Sequence, residues 1–257
     1  MMLPLLAAAG CAPAGGAPAS LPAATAAAPQ SWSATVDSLG AGVSVRRIGP
    51  RVWVHVSVQD NIASNGLLVA TDDGGMLLID TAWNDEQTAR LVEWARTKLG
   101  KPVSAALVTH FHRDRLGGID TLRALGIAAS GLDRTRDLAI AHGDNGPDVL
   151  LTADRPLYRH RDFEAFYPGP GHAPDNVVVY LKRERVLFGG CLVKSAAARD
   201  LGNVADADLG HWADAVMAVA ARYPDAATIV PGHGAEGGTN LLAHTRDLVV
   251  TLGPTVR

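Results

Sequence analysis

Cysteine is almost absent: of 257 residues, only Cys11 and Cys191 carry a thiol. Cys11 falls in the apolar opening of the chain, so the rest holds a single thiol and no disulfide framework can form. An unpaired cysteine in a chain with an export-like leader calls for an explanation, and metal ligation is a good one. A surplus of positive charge is absent too. Lys and Arg number 23 against 26 Asp and Glu, a formal charge of -3, which excludes the basic patch a nucleic-acid partner needs. The dense charge cluster Lys182 to Arg185 sits between two apolar runs and reads as a solvated hairpin turn. No solenoid-length repeat is visible. What is present is a 47% hydrophobic composition, enough for one sizeable domain with a full core or for two small ones.

The first residues differ from the rest. Met1 to Leu6 is apolar, Ala, Gly and Pro follow, and no charge occurs before Asp37. The apolar piece is too short to span a membrane. It reads as the tail of a secretory signal without its positive n-region, as it would if the true start lay upstream. Leu6-Ala7-Ala8-Ala9-Gly10-Cys11 also has the shape of a bacterial lipoprotein cleavage site, with Ala8 where Leu is usual. The other reading is an ordinary leader cut among the small residues before Gln30. Residues 1–40 are therefore expected to be leader and Ala/Pro/Gly tether, and 41–257 the folded domain. Export to the periplasm follows, with Cys11 as a lipid anchor on the outer membrane in the first case.

Val43 to Ile48 and Arg51 to Val58 read as strands around Gly49-Pro50; Arg51 to Val56 alternates polar and apolar. Leu67 to Ala70 and Met76 to Ile79 read as two more, joined at Asp72-Asp73-Gly74-Gly75. A helix starts after Asn84 as cap, with Asp85 and Glu86 in its first turn. The strand Val103 to Val108 precedes a helix from Leu116 to Leu125. Further strands are Phe163 to Tyr167, Val177 to Leu181, Val186 to Phe188 and Thr228 to Val230. Helices cover Leu209 to Ala220 and Asn240 to Leu252. Strands in series, then strands mixed with helices, predict an α+β domain of sheets covered by helices rather than a doubly wound fold.

The run Thr109-His110-Phe111-His112-Arg113-Asp114-Arg115 places two imidazoles and a carboxylate at alternate positions after an apolar strand, where they can lean to one side. That donor set suits zinc. Three more potential ligands follow in glycine-rich settings: His172 in Pro168-Gly169-Pro170-Gly171-His172, Cys191 after Gly189-Gly190, and His233 in Pro231-Gly232-His233-Gly234. The other five of nine histidines, His55, His142, His160, His211 and His244, lack ligand spacing and read as surface or satisfied core residues. Six ligands are too many for one tetrahedral zinc and suit two open sites.

These motifs resemble class B metallo-β-lactamases, and more narrowly the dizinc subclass with a cysteine ligand. Neighbouring segments agree: Leu78-Ile79-Asp80-Thr81-Ala82-Trp83, Gly171-His172-Ala173-Pro174-Asp175-Asn176, Gly190-Cys191-Leu192-Val193-Lys194 and Asn203-Val204-Ala205-Asp206-Ala207-Asp208. The resemblance covers Val43 to Leu252. It implies an αββα sandwich, two Zn(2+) ions per chain and a monomer that opens the β-lactam amide of antibiotics by a zinc-bound hydroxide, conferring resistance. It assigns His110, His112 and His172 to one zinc and Asp114, Cys191 and His233 to the other. It makes Asp114 the group that orients the hydroxide, Lys194 the partner of the substrate carboxylate and Asn203 a donor to the lactam carbonyl. Asp80 and Arg115 would support the ligands from behind, Arg115 by screening the Cys191 thiolate; the other reading of Arg115 is a surface arginine. A mobile hairpin, Val58 to Gly66, would cover the site; its tip is polar here, with Ile62 the clearest apolar contact. Lactonase- or glyoxalase-like relatives of the same fold usually carry a histidine after the motif aspartate and a later bridging aspartate, where this chain has Arg115 and Cys191. A non-catalytic exported zinc-binding protein is the rival from another class, and it leaves Lys194 and Asn203 without a purpose.

Overall fold

The computed structural model describes residues 35–153, the backbone of 158–159, and 162–253. The leader with Cys11 and Gln30, and also His160, lie outside the described residues.

Eight strands form the first sheet, in chain order: β1 (Val36–Gly40), β2 (Val43–Arg47), β3 (Val52–Gln59), β4 (Ile62–Ala70), β5 (Met76–Ile79), β6 (Val103–Leu107), β7 (Ala129–Leu132) and β8 (Val149–Leu151). The first five pair antiparallel; β5 to β8 pair parallel. The parallel strands need crossovers. These are α1 (Asp85–Lys98), the pair α2 (Arg113–Leu116) and α3 (Ile119–Ala124), and α4 (Asp133–Ala141). The second sheet runs β13-β12-β11-β10-β9, from Thr228–Pro231, Val186–Gly190, Val178–Leu181, Phe163–Phe166 and Tyr158–Arg159. Helices α5 (Trp212–Arg222) and α6 (Asn240–Leu252) belong to this half.

The alternation of side chains along each strand makes the layers. Val52, Val54, Leu67, Val69, Leu77 and Ile79 point between the sheets, where they meet Phe163, Val179, Leu181, Phe188 and Val230. Their neighbours Leu68, Met76 and Leu78 point outward onto α1 and α3, packing with Ala95, Ile119 and Leu122. On the far side Val178, Tyr180 and Leu187 turn out to meet Trp212, Val216, Leu241 and Val249. Both sheets are thus covered on both faces, which is why β5 and β11 read as unbroken apolar runs. The result is the expected α+β sandwich, helices–sheet–sheet–helices.

Most expected elements appear within a residue or two, and the differences have physical causes. Strand β4 begins at Ile62 because Asp60 and Asn61, both at positive φ, turn the chain in two residues and let Gln59 pair Ile62. The hairpin over the site is therefore regular ladder rather than loop. Strand β1 reaches back into the stretch expected to be tether, paired along β2. The helix expected over Leu116 to Leu125 is two short helices separated by Gly117 and Gly118. A Cβ on Gly117 would stand 2.1 Å from the carbonyl oxygen of Trp83, so only glycine lets the two backbones meet. Strands β7 and β8 lie in a segment with no strong sequence pattern; the helix on which His142 is expected is α4, and His142 caps its end.

Gly117→Ala should therefore destabilise the protein by about 3 kcal/mol, since the clash is with backbone and cannot be relieved by a rotamer. The check is a denaturant melt, with the midpoint shifted and the slope unchanged.

Candidate metal centre

All candidate ligands follow strand ends on one rim of the sandwich. His110 to Asp114 follow β6, Cys191 follows β12, His233 follows β13, and His172 lies between β10 and β11. Because β5 and β6 run parallel, as do β12 and β13, their carboxyl ends deliver loops to the same edge. Gly232 lets the last two loops touch: a Cβ there would lie 2.6 Å from the Cys191 nitrogen and 2.7 Å from its sulfur.

The structure brings the three histidines together. His112 Nδ1 lies 3.1 Å from His110 Nε2 and 3.1 Å from His172 Nε2. The rings stand nearly perpendicular, with centroids 4.7, 5.1 and 5.0 Å apart. Burial, then the neighbouring charges of the cluster, holds His110 and His172 well below the usual histidine range. Three imidazoles converging on one point offer ring nitrogens whose lone pairs a single cation can satisfy together.

The second group adjoins it. Asp114 Oδ2 lies 3.5 Å from Cys191 Sγ and 3.2 Å from His233 Nε2, and Cys191 Sγ lies 3.3 Å from His233 Nε2. His110 is within 4.8 Å of the Asp114 and Cys191 donor atoms, so the clusters share a border. Burial alone would raise the Asp114 carboxyl, but Arg115 and His233 more than reverse this and hold it well below the usual carboxylate range. Burial also opposes a charge on His233, yet Cys191 and Asp114 push its pKa up to about 10. That upward push marks a place built to hold positive charge. Carboxylate, thiolate and imidazole are the donors of a transition-metal site. Both clusters therefore fit zinc.

Behind the ligands lies a buried ionic network. Arg115, expected as a screen or a surface residue, is fully buried. Its Nη2 donates to Asp114 Oδ2 at 2.7 Å and to the Gly232 carbonyl at 3.0 Å; its Nη1 donates to the Asn65 carbonyl and lies 3.3 Å from Asp80 Oδ2. Asp80, at φ 59, accepts from Thr109 N at 2.7 Å and Thr109 Oγ1 at 2.8 Å. Burial pushes Asp80 up to about 7 against the pull of Arg115 and Thr109. Asp80 thus anchors the turn that launches the histidines.

The clusters open into a cleft of about 570 Å³, within the usual range for small-molecule sites. Ile62 and Trp83 line it, with Arg113, Lys194 and Asn203. Lys194 lies with Nζ 5.2 Å from the Trp212 ring centroid, and burial lowers its pKa. Asn203 is exposed, its Oδ1 accepting from Ala205 N at 3.1 Å.

Several supporting residues were not singled out in the sequence. Asp206 Oδ2 lies 3.0 Å from His112 Nε2, so His112 donates there and turns its Nδ1 lone pair to the cluster. His233 is set the same way by its Nδ1, 2.7 Å from the Ala63 carbonyl. Asn65 Nδ2 donates to the carbonyls of Pro231 and Gly234 at 2.9 and 2.7 Å, and Ser64 Oγ to that of Asp114 at 3.1 Å. Asp175 Oδ2 accepts from Thr135 Oγ1 at 2.7 Å, and burial raises it to about 6. No spacing rule reveals a pair 94 residues apart such as His112 and Asp206. The remaining histidines among the described residues behave as expected: His55 is buried with Nε2 3.1 Å from the Asp80 carbonyl, His142 and His211 meet partners three or four residues away, and His244 Nε2 lies 3.1 Å from the Ala198 carbonyl.

Asp206→Ala should weaken metal binding about 10- to 100-fold while leaving the fold intact. Zinc affinity by competition with a chromophoric chelator, beside a thermal melt, checks this.

The family model for the metallo-beta-lactamase superfamily matches residues 60–233. The metallo-beta-lactamase type 2 of Bacillus cereus is 40% identical over 212 residues, covering 80% of this chain and 82% of that one. The crystal structure of the Erythrobacter litoralis metallo-beta-lactamase superposes with a TM-score of 0.81 at 36% identity, over 85% of this chain and 100% of that one. FIM-1 of Pseudomonas aeruginosa, solved in a mono-zinc form, superposes with a TM-score of 0.78 at 38% identity, over 81% and 95%. With that much of its length shared at such identity, and with the sandwich and its rim of donors in place, the chain belongs to the metallo-beta-lactamase superfamily.

Proposed function

We propose that this enzyme hydrolyses the β-lactam amide of antibiotics, and so confers resistance to them. The observation that carries the reading is the pairing of two adjoining donor clusters with a lysine held in the wall of the same cleft. As a member of the superfamily the chain binds zinc; two ions per chain is our reading of the six donors. His110, His112 and His172 would hold the first ion, and Asp114, Cys191 and His233 the second.

Bound zinc supplies Lewis acidity and makes a water acidic enough to attack near neutral pH, its pKa falling from about 15.7 to about 7. The protein supplies the rest. The Lys194 ammonium pairs with the substrate carboxylate and fixes the ring in the cleft. Asn203, its oxygen engaged by Ala205 N, has its amide NH2 to donate to the lactam carbonyl as negative charge develops there. Asp114 orients the attacking water and is itself held by Arg115. Ile62 and Trp83 pack against the substrate and exclude bulk water.

The domain would be 41–257 together with the strand beginning at Val36, preceded by leader and tether, and the enzyme a monomer. We further propose export to the periplasm, with Cys11 as the lipid attachment point of the mature chain.

Zinc-loaded protein should hydrolyse a chromogenic cephalosporin and a carbapenem, lose activity to a chelator and regain it with zinc. No turnover with zinc fully loaded overturns the assignment. Cys191→Ser should drop the zinc content from two towards one, and an unchanged stoichiometry would refute the placement of the second ion. Mass measurement of the mature N-terminus decides the leader: a lipid-modified Cys11 supports the anchor, and cleavage before Gln30 removes it.

A further inference from the structure

The cleft carries two basic side chains, and the reading above uses only Lys194. The other is Arg113, between His112 and Asp114 in sequence. Those neighbours turn into the donor clusters, while the Arg113 side chain is 62% exposed and lines the cleft. The two cations come from different halves of the sandwich. Arg113 opens helix α2 after β6 of the first sheet, and Lys194 sits on the loop after β12 of the second. Both line the one cleft.

The acids around them are unevenly placed. Asp200 lines the cleft and acts electrostatically on Lys194. Asp206 is engaged by His112. Arg113 faces Asp144 at 3.5 Å, longer than a direct hydrogen bond. A loose ion pair at an exposed position is worth little, so the guanidinium can turn to a ligand at small cost. Its planar fork matches a carboxylate in bidentate geometry.

We propose that Arg113 recognises a second carboxylate, borne on the acyl side chain of the substrate, so that the cleft prefers dianionic β-lactams. This rests on the β-lactamase reading, in which Lys194 takes the carboxylate common to the ring systems. Arg113 is then a specificity-determining residue rather than a catalytic one.

The test compares carbenicillin, which carries an acyl-side-chain carboxylate, with benzylpenicillin, which lacks it, on the zinc-loaded enzyme. Arg113→Ala should raise the KM ratio of the dianion to the monoanion about three- to fivefold. Arg113→Glu should raise it further, and Arg113→Lys should restore part of the preference. Asp144→Asn, which frees Arg113, should lower the ratio. Added salt should erode the preference in the wild type and not in Arg113→Ala. Thermal melts confirm that each variant folds. A ratio unchanged in both the Ala and Glu variants, with benzylpenicillin still turned over, overturns the role of Arg113 alone. Hydrolysis of neither penicillin by the wild type overturns the underlying reading, and this proposal with it.

Discussion

The buried guanidinium of Arg115 is the element on which the rest of the rim depends. It takes a charge out of water, which is tolerable only where partners surround it. Those partners come from four places: Asp80 at the end of β5, Asp114 beside it, the Asn65 carbonyl on β4 and the Gly232 carbonyl after β13. Two are carboxylates that would repel one another without the cation. Removing one side of such a buried arrangement costs about 3–5 kcal/mol, comparable with a large share of a domain's stability. Arg115 therefore joins the edges of both sheets at the point where the donors gather.

Around that cation the sheet geometry does the sorting. Parallel strand pairs in both halves send their loops to one edge, and each loop brings a donor of different character. The three histidines meet through their ring nitrogens, with His110 and His172 buried. Asp114 and Cys191 lie side by side, and interaction with them raises His233 against its burial. One border residue, His110, belongs to the reach of both. The two groups of donors are held side by side, because Asp80 and Thr109 fix the histidine turn while Arg115 fixes the aspartate next to it.

How much of this was legible beforehand follows from what each feature depends on. The donors were legible because glycine-flanked His and Cys after apolar strands are local signals. The inner strands were legible through their apolar alternation, and α1 through its Asn84 cap, whose side chain accepts from Gln87 N at 3.0 Å. The split at Gly117 was not, because it depends on Trp83, distant along the chain. Arg115 read equally well as a surface residue, since burial of a lone arginine is decided by partners at Asn65, Asp80 and Gly232 that no window of sequence contains. Asp206 lay inside a quoted motif, yet its use was hidden for the same reason: the histidine it orients lies in another half of the sandwich.

The arrangement also weighs between functions that share these ligands. A structural zinc site closes four donors around one ion, whereas here six donors fall into two groups beside an open cleft. A storage protein needs the donors but not Lys194. Burial lowers the pKa of that ammonium while Cys191, Asp200 and Asp114 support its charge, and its Nζ lies over the Trp212 ring. An anion entering the cleft meets the ammonium in a partly desolvated setting, where a charge pair is stronger than in water. The lysine therefore looks towards an anionic small molecule lying across the donor clusters, and a β-lactam, with its carboxylate next to the amide that must break, has that shape of charge.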